Sequence, residues 1–178
     1  KDVLYAFERL AKPSNGGQYS FYYSVIRGFD DYGAGKAQSI SGIETPDDHT
    51  IVFHLTKPTG DFLYRVAMPA TGPIPEEVAK CFDGKPGAYG RDVVSTGPYM
   101  IEGADAVNAS SCSTLKPMSG FDGQTRLNLV RNPAYDPKTD SSDARENLPD
   151  RFEFSVNANA DDILNRVEAG NLDDEVSS

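Results

Sequence analysis

Apolar residues recur every three or four positions in several stretches of the chain, which is the spacing of a helix with one buried face. The first such stretch begins at Asp2, a residue suited to cap a helix N-terminus, and stops before Pro13. The predicted helices cover 2–11, about 19–29, a short segment capped by Asp61, a segment from Pro75, and 161–169 followed by Gly170.

Side chains that alternate between two faces, most cleanly at 151–156, mark the predicted strands. They are a hairpin within 40–56 that turns at 46–48, a strand after Pro98, a strand at 127–131 and a strand at 151–156. Helices and strands alternate irregularly, which favours a mixed α/β (α+β-like) fold. At 178 residues we expect a single domain over 1–178, with polar loops at 103–126 and 136–150.

Two short motifs stand on either side of the first of these loops. Ser95-Thr96-Gly97-Pro98-Tyr99 precedes it, and Arg131-Asn132-Pro133-Ala134-Tyr135 follows it. Each places a strand beside a rigid turn, because Pro98 fixes its own φ, Gly97 is free to adopt unusual values, and Asn132-Pro133 stops a strand. The candidate structural residues are Thr96, Gly97, Pro98, Tyr99, Asn132, Pro133 and Tyr135.

The net charge of −10 is concentrated in the last quarter of the chain. Residues 1–135 carry 15 acidic and 13 basic side chains, whereas residues 136–178 carry 12 acidic and 4 basic ones. Nucleic-acid binding requires a basic face that displaces counterions, and the sequence offers none. No apolar run approaches the roughly 20 residues of a membrane helix.

Candidate chemistry is sparse. His49 and His54 have opposite parity along the predicted strand, so we do not expect them to share a metal. Asp136, Asp140 and Asp143 suggest a calcium loop, but the glycine and glutamate that such a loop requires are missing. Without an arrangement of acid, base and nucleophile, the sequence predicts no enzyme, no cofactor and no metal site.

Six aromatic residues cluster between positions 19 and 32. Clustered aromatics either line a pocket for a ligand or form part of a core, and helical spacing favours the core. The residues are Tyr19, Phe21, Tyr22, Tyr23, Phe29 and Tyr32.

The two motifs resemble those of the extracellular solute-binding proteins of ABC importers, in the peptide- and nickel-binding group known as family 5. Further segments agree in order and spacing: Asp2–Leu10, Ile26–Tyr32, Ser41–Ile43 with Asp48–Leu55, and Asp161–Asp173. The resemblance covers the whole chain except 103–126, which it marks as an insertion. Ser95 and Asp136 depart from the pattern, since the family commonly has Gly and Trp there.

The resemblance implies a partial periplasmic-binding-protein type II fold of the dipeptide-binding type. Because such proteins are two-lobed, and because the chain shows no initiator methionine, signal peptide or lipid-attachment cysteine, we expect an excised fragment of one lobe. The implied function is extracytoplasmic substrate binding, periplasmic or at the cell surface, for peptide uptake. The implied partners are a small ligand and an ABC permease. Peptide, nickel chelate and sugar all stay open as ligands, and no ligand-binding residue can be assigned.

Cys81 and Cys112 stand on either side of the first motif, and neither belongs to a CxxC or Cys/His cluster. They are either a disulfide or two unrelated thiols. The resemblance favours the disulfide, because it places the protein outside the cytoplasm, where disulfides persist. An alternative function is a protein-interaction module that uses the acidic C-terminal segment and the cysteine-flanked insertion.

Overall fold

A computed structural model describes residues 1–141, 146 and 148–174. Close backbone contacts divide the chain into two compact units. Unit 1 comprises Lys1–Val94 and Ala106–Lys116, and unit 2 comprises Ser95–Asp105 and the described residues from Pro117 onward. Asp143, considered above for a calcium loop, lies outside the described residues.

Unit 1 is built around helix α1 (Asp2–Ala11) and a two-stranded antiparallel sheet, β1 (Ile43–Asp47) and β2 (Thr50–Phe53). Three short helices complete it: α2 (Phe29–Gly33), α3 (Phe62–Val66) and α4 (Glu76–Ala79). The predicted bounds of α1 are confirmed. The predicted cap is wrong, because Lys1 rather than Asp2 occupies the N-cap position and no side chain caps the helix.

The core of unit 1 is aromatic. The fully buried ring of Phe7 meets Tyr23 edge-on at 5.5 Å and Phe53 at 5.1 Å, and Phe53 continues to Phe62 at 5.2 Å. Such ring pairs add to the free energy of burial beyond their area. Ile51, Phe53 and Leu55 all pack on this core, so the predicted face of the hairpin is confirmed.

The hairpin turns one residue later than predicted. β1 runs through Asp47, which is the register partner of Thr50, so Asp48 and His49 form the turn. The Asp47 carboxylate accepts the backbone N–H of His49, and this hydrogen bond lowers the pKa of Asp47. Polarity alone did not distinguish Pro46, at the edge of the sheet, from a turn residue.

Residues 19–29 do not form the predicted helix. Ser20–Tyr23 is a single 3₁₀ turn, and the chain unwinds before α2. Three residues per turn, instead of 3.6, change which aromatic side chains face the core. Tyr23 and Phe29 are buried, whereas Tyr19 is 46% and Phe21 63% exposed, so the core prediction is wrong for those two. Leu63 of α3 is apolar and yet 80% exposed.

Unit 2 contains a three-stranded antiparallel sheet in the order β3-β4-β5, with bounds Tyr99–Ile101, Arg126–Arg131 and Arg151–Ser155. Gly120 packs against it so closely that a Cβ would lie 2.7 Å from the carbonyl oxygen of Asn128. Helix α5 (Ala160–Glu168) follows β5, and its N-cap Asn159 accepts the N–H of Asp162. Gly170, at φ 72°, ends it as predicted.

Asp92 in unit 1 is a buried carboxyl, 2% exposed, whose Oδ1 has no hydrogen-bond partner among the residues that the structure describes. Burial raises its pKa, against the opposing charge of Arg91. A raised pKa in the folded state means that the ionised group opposes folding above that pKa and has no effect once pH falls below the unfolded pKa.

We therefore expect Asp92→Asn to raise the free energy of unfolding at pH 7 by about 1 kcal/mol, the order of cost of an unpaired buried group. The gain should shrink as pH falls toward the ordinary carboxyl pKa of 3.8. Thermal unfolding between pH 4 and pH 8 measures it. Asp105→Asn, at an exposed position, removes the same charge and is the control. A gain independent of pH would contradict this explanation.

Candidate functional site

The two motifs meet in space although 31 residues separate Tyr99, which ends the first, from Arg131, which begins the second. β3 and β4 are antiparallel, with Tyr99 opposite Arg131 and Ile101 opposite Leu129. The strand that the first motif begins is therefore paired with the strand that the second motif ends. The turns before β3 and after β4 consequently lie at the same end of the sheet.

Asn132 joins these two turns. Its backbone N–H donates to the Pro98 carbonyl at 2.8 Å, and its Nδ2 donates to the carbonyl oxygens of Gly97 at 2.9 Å and Ser95 at 3.2 Å. Its Oδ1 accepts the backbone N–H of Ala134 at 3.0 Å. One partly buried amide thus uses both of its polar atoms to bind backbone.

Gly97 does not adopt the unusual φ that the sequence suggested. Its N–H donates to Ser95 Oγ at 3.1 Å, and a Cβ at this position would make only an ordinary contact with that oxygen. The departure from the family pattern at Ser95 therefore supplies a hydrogen bond that closes the turn. Thr96 and Pro133 are exposed.

The two motif tyrosines bind neighbouring loop residues. Tyr99 donates its hydroxyl hydrogen to the Pro149 carbonyl at 2.6 Å and meets Phe152 edge-on at 4.8 Å. The Arg131 guanidinium lies 5.9 Å from the centre of the Tyr99 ring. Tyr135 donates to Asp140 at 3.0 Å. These contacts position backbone and loops, and they form no arrangement of acid, base and nucleophile.

The disulfide between Cys81 and Cys112 is present, which confirms the favoured prediction. It connects two segments of unit 1, 31 residues apart in sequence. Residues 106–116 form hydrogen bonds among themselves; for example, Thr114 Oγ1 donates to the carbonyl oxygen of Asn108 at 2.8 Å. Within the described part of the chain, no hydrogen bond or ion pair joins this segment to the rest of unit 1. Within the described residues, the disulfide is therefore the one bond that joins this segment to the rest of unit 1.

The two histidines occupy different parts of the hairpin. His49 lies in the turn before β2, so its side chain does not belong to a strand face as the sequence predicted. His54 follows β2, and its Nε2 lies 2.9 Å from Glu44 Oε1. No cluster of three or more His, Cys, Asp or Glu suited to a metal occurs among the described residues. No helix within that same part is long and apolar enough to cross a membrane.

Unit 2 carries an open groove of about 570 Å³ between the sheet and α5, which the sequence analysis missed. At its edge, the Asp122 carboxylate accepts the hydroxyl hydrogen of Thr125 and the backbone N–H groups of Gln124, Thr125 and Arg126. These hydrogen bonds hold the pKa of Asp122 far below its ordinary value. The apolar lining consists of Phe121, Leu127, Phe154, Val156, Ile163 and Leu172. The alternation of Phe154 and Val156 with polar residues was the available signal.

Comparison with known families gives the class of protein to which the chain belongs, the extracellular solute-binding proteins. The profile of the bacterial extracellular solute-binding proteins, family 5 middle region, matches residues 1–177, and the chain belongs to this family. The family is extracellular, which agrees with the disulfide and places the chain outside the cytoplasm.

Named relatives are peptide-binding proteins. The periplasmic oligopeptide-binding protein OppA of Salmonella typhimurium is 30% identical over 104 residues, 57% of this chain and 19% of that protein. The dipeptide-binding protein of Escherichia coli is 30% identical over 105 residues, again 57% and 19%. The solved structure of clavulanic acid biosynthesis oligopeptide binding protein 2 is 29% identical with a TM-score of 0.74, over 96% of this chain and 27% of that one. The chain thus spans about a fifth of these curated relatives.

Asn132→Ala should lower the free energy of unfolding by about 1–3 kcal/mol, because it removes three side-chain hydrogen bonds to backbone. Asn132→Asp keeps the acceptor for Ala134 but sets a carboxylate oxygen against the carbonyl oxygens of Ser95 and Gly97, so it should lower the free energy of unfolding at least as much as Asn132→Ala. Urea denaturation followed by far-UV circular dichroism measures the loss. Asn171→Ala, at an exposed asparagine, should change little, and an equal loss in both alanine variants would contradict the role given to Asn132.

Replacing both Cys81 and Cys112 by serine should lower the free energy of unfolding by about 3–4 kcal/mol, because the unfolded chain regains the entropy that this loop closure removes. Residues 106–116 should also become the first site of proteolytic cleavage, which mass spectrometry of the fragments identifies. An unchanged cleavage pattern would show that other contacts hold the segment.

Proposed function

We propose that the full-length protein to which this chain belongs is the substrate-binding component of an ABC importer for peptides. Family membership over residues 1–177 carries the proposal, because it fixes the class of protein. Similarity to the oligopeptide- and dipeptide-binding relatives supports peptide, rather than nickel chelate or sugar, as the ligand. The role is binding and delivery, and the relatives are named as binding proteins, not enzymes.

The proposed partners and location follow from this role. An ABC permease receives the loaded protein, and the protein acts in the periplasm or as a lipoprotein at the cell surface. Ligand capture closes two lobes through contacts made only in the closed state, which shifts the population toward that state. The present chain supplies part of one lobe, so we expect it to bind peptide weakly or not at all by itself.

The contacts of the motif residues agree with a supporting role. Asn132, Tyr99 and Tyr135 bind backbone carbonyls and a neighbouring carboxylate within unit 2. Their effect is to fix the shape of a sheet end, and a receptor that recognises a ligand between lobes requires such rigid supports.

The test is native mass spectrometry of the full-length protein, purified without denaturation. We expect a ladder of bound masses that fragment as short peptides. After stripping in denaturant and refolding, defined pools of di-, tri- and pentapeptides should restore the ladder, whereas the same amino acids in free form should not. A refolded protein that ignores all peptide pools would overturn the proposal and favour the interaction-module alternative.

A further inference from the structure

The fold itself holds the segment that carries Cys81, the first cysteine of the disulfide. Asp83, two residues further along, accepts the hydroxyl hydrogen of Tyr5 of α1 at 3.0 Å. The N–H of Gly84 donates to Asn15 Oδ1 at 2.7 Å. Neither bond involves the second cysteine. Cys81 therefore keeps its place whether the disulfide is intact or broken.

Residues 106–116, which contain Cys112, have no such support. Among the described residues, the hydrogen bonds of this segment stay inside it, as in the Ser110 N–H that donates to Asn108 Oδ1 at 3.0 Å. The aromatic core of unit 1 and the apolar side chains packed on it lie within Val3–Ala70, so the segment contributes nothing to that core. Its fixed position in unit 1 thus depends on the covalent bond.

The two sulfur atoms of the disulfide differ in their surroundings. Cys112 is exposed, whereas Cys81 is half-buried. Exchange begins when a thiolate attacks one sulfur, and its rate depends on access to that sulfur and on the stability of the thiolate that leaves. Lys85 Nζ donates to the Cys81 carbonyl oxygen at 3.3 Å, and Lys80 precedes Cys81 in the chain. Because nearby cations stabilise a thiolate, attack on Cys112 with Cys81 as the leaving group is the favoured direction.

The acidic residues near Cys81 have cations of their own. The two that lie within four positions of it are Glu77 and Asp83. Glu77 Oε2 lies 3.4 Å from Lys1 Nζ, and Asp83 forms an ion pair with Arg9. The positive charge of the two lysines beside Cys81 is therefore available to the leaving sulfur.

We propose that Cys112 Sγ is the site at which an extracytoplasmic protein dithiol reduces the disulfide, and that residues 106–116 are the segment this reduction releases. A thiolate of the dithiol bonds to Cys112 Sγ and expels Cys81 as a thiolate, which takes up a proton. The second thiolate of the dithiol then attacks its partner sulfur in the mixed disulfide and expels Cys112. The protein disulfide gains two electrons, and the dithiol becomes a disulfide. The inference is independent of which ligand the protein carries.

Reduction of the oxidised full-length protein by dithiothreitol, at several urea concentrations below the unfolding transition, tests whether the folded protein is attacked. Alkylation at each time point and mass spectrometry of the peptides with Cys81 and Cys112 give the rate. We expect a rate proportional to dithiothreitol and nearly independent of urea. A rate that rises steeply with urea would show that reduction requires unfolding, because urea lowers the free energy of unfolding linearly. That result would overturn the proposal.

The attacked sulfur is identified with a monothiol. Glutathione, reacted with the folded full-length protein and quenched in acid, should be found mainly on Cys112, and an adduct mainly on Cys81 would overturn the assignment. Lys85→Met should slow reduction by dithiothreitol about two- to threefold, because the leaving thiolate loses a neighbouring cation. Lys57→Met, at an exposed lysine elsewhere in unit 1, is the matched control. Equal rates in the two variants would contradict the role given to Lys85.

Hydrogen exchange on the reduced and alkylated full-length protein tests what is released. Amides of residues 106–116 should exchange at least about tenfold faster than in the oxidised protein, while those of α1 should not change. The double variant Cys81→Ser/Cys112→Ser should give the same pattern without an alkyl group. Faster exchange in α1 as well would show that the disulfide supports the core, and unchanged exchange in 106–116 would show that other contacts fix the segment. Either result would overturn the proposal.

Discussion

The arrangement of unit 2 depends on the amide of Asn132. The strand pair β3-β4 is joined by a connection of 24 residues, so nothing local in sequence fixes its register. Asn132 fixes it at one end, because a single side chain binds the carbonyls of Ser95 and Gly97 while its own N–H binds Pro98. Proline has no N–H to donate, so this position offers only the carbonyl that Asn132 uses. A shift of the register by one residue would break all of these bonds and would turn the side chains of the shifted strand to the opposite face of the sheet.

Unit 1 is stabilised differently. Its core is a chain of aromatic rings from α1 through the hairpin to α3, and its outer segments are tied by polar bonds. Asp83 accepts the hydroxyl hydrogen of Tyr5 and binds Arg9, and Arg9 also lies over the ring of Tyr89. Burial and the hydrogen bond to Asp83 raise the pKa of Tyr5. The disulfide adds residues 106–116, which have little apolar surface of their own to bury.

An element could be predicted from the sequence when the residue pattern that signals it lies within the element itself. The strands β3, β4 and β5 and the helices α1 and α5 were predicted because their periodicity and stop signals lie within the elements. The aromatic stretch from Tyr19 to Phe29 was mispredicted because its apolar spacing fits a helix. In the structure only Ser20–Tyr23 forms a 3₁₀ turn, and Gly28, at positive φ, is the N-cap of α2. The groove could not be predicted, since it depends on how far α5 stands from the sheet. The hydrogen bonds of Asn132 could not be predicted either, because they form only when two turns that are distant in sequence meet.

Helix α5 shows how an element can be locally complete and still lack its packing partner. Its first turn is capped by Asn159, and at its end the N–H groups of Gly170 and Asn171 bind the carbonyls of Val167 and Arg166. These bonds satisfy groups that a bare helix end would expose. None of its residues is buried, however, and Leu164 is 53% exposed despite a strongly amphipathic sequence. Short helices in water are marginal without a packed apolar face. The side of α5 that lines the groove therefore lacks the packed apolar partner on which the stability of a short helix depends.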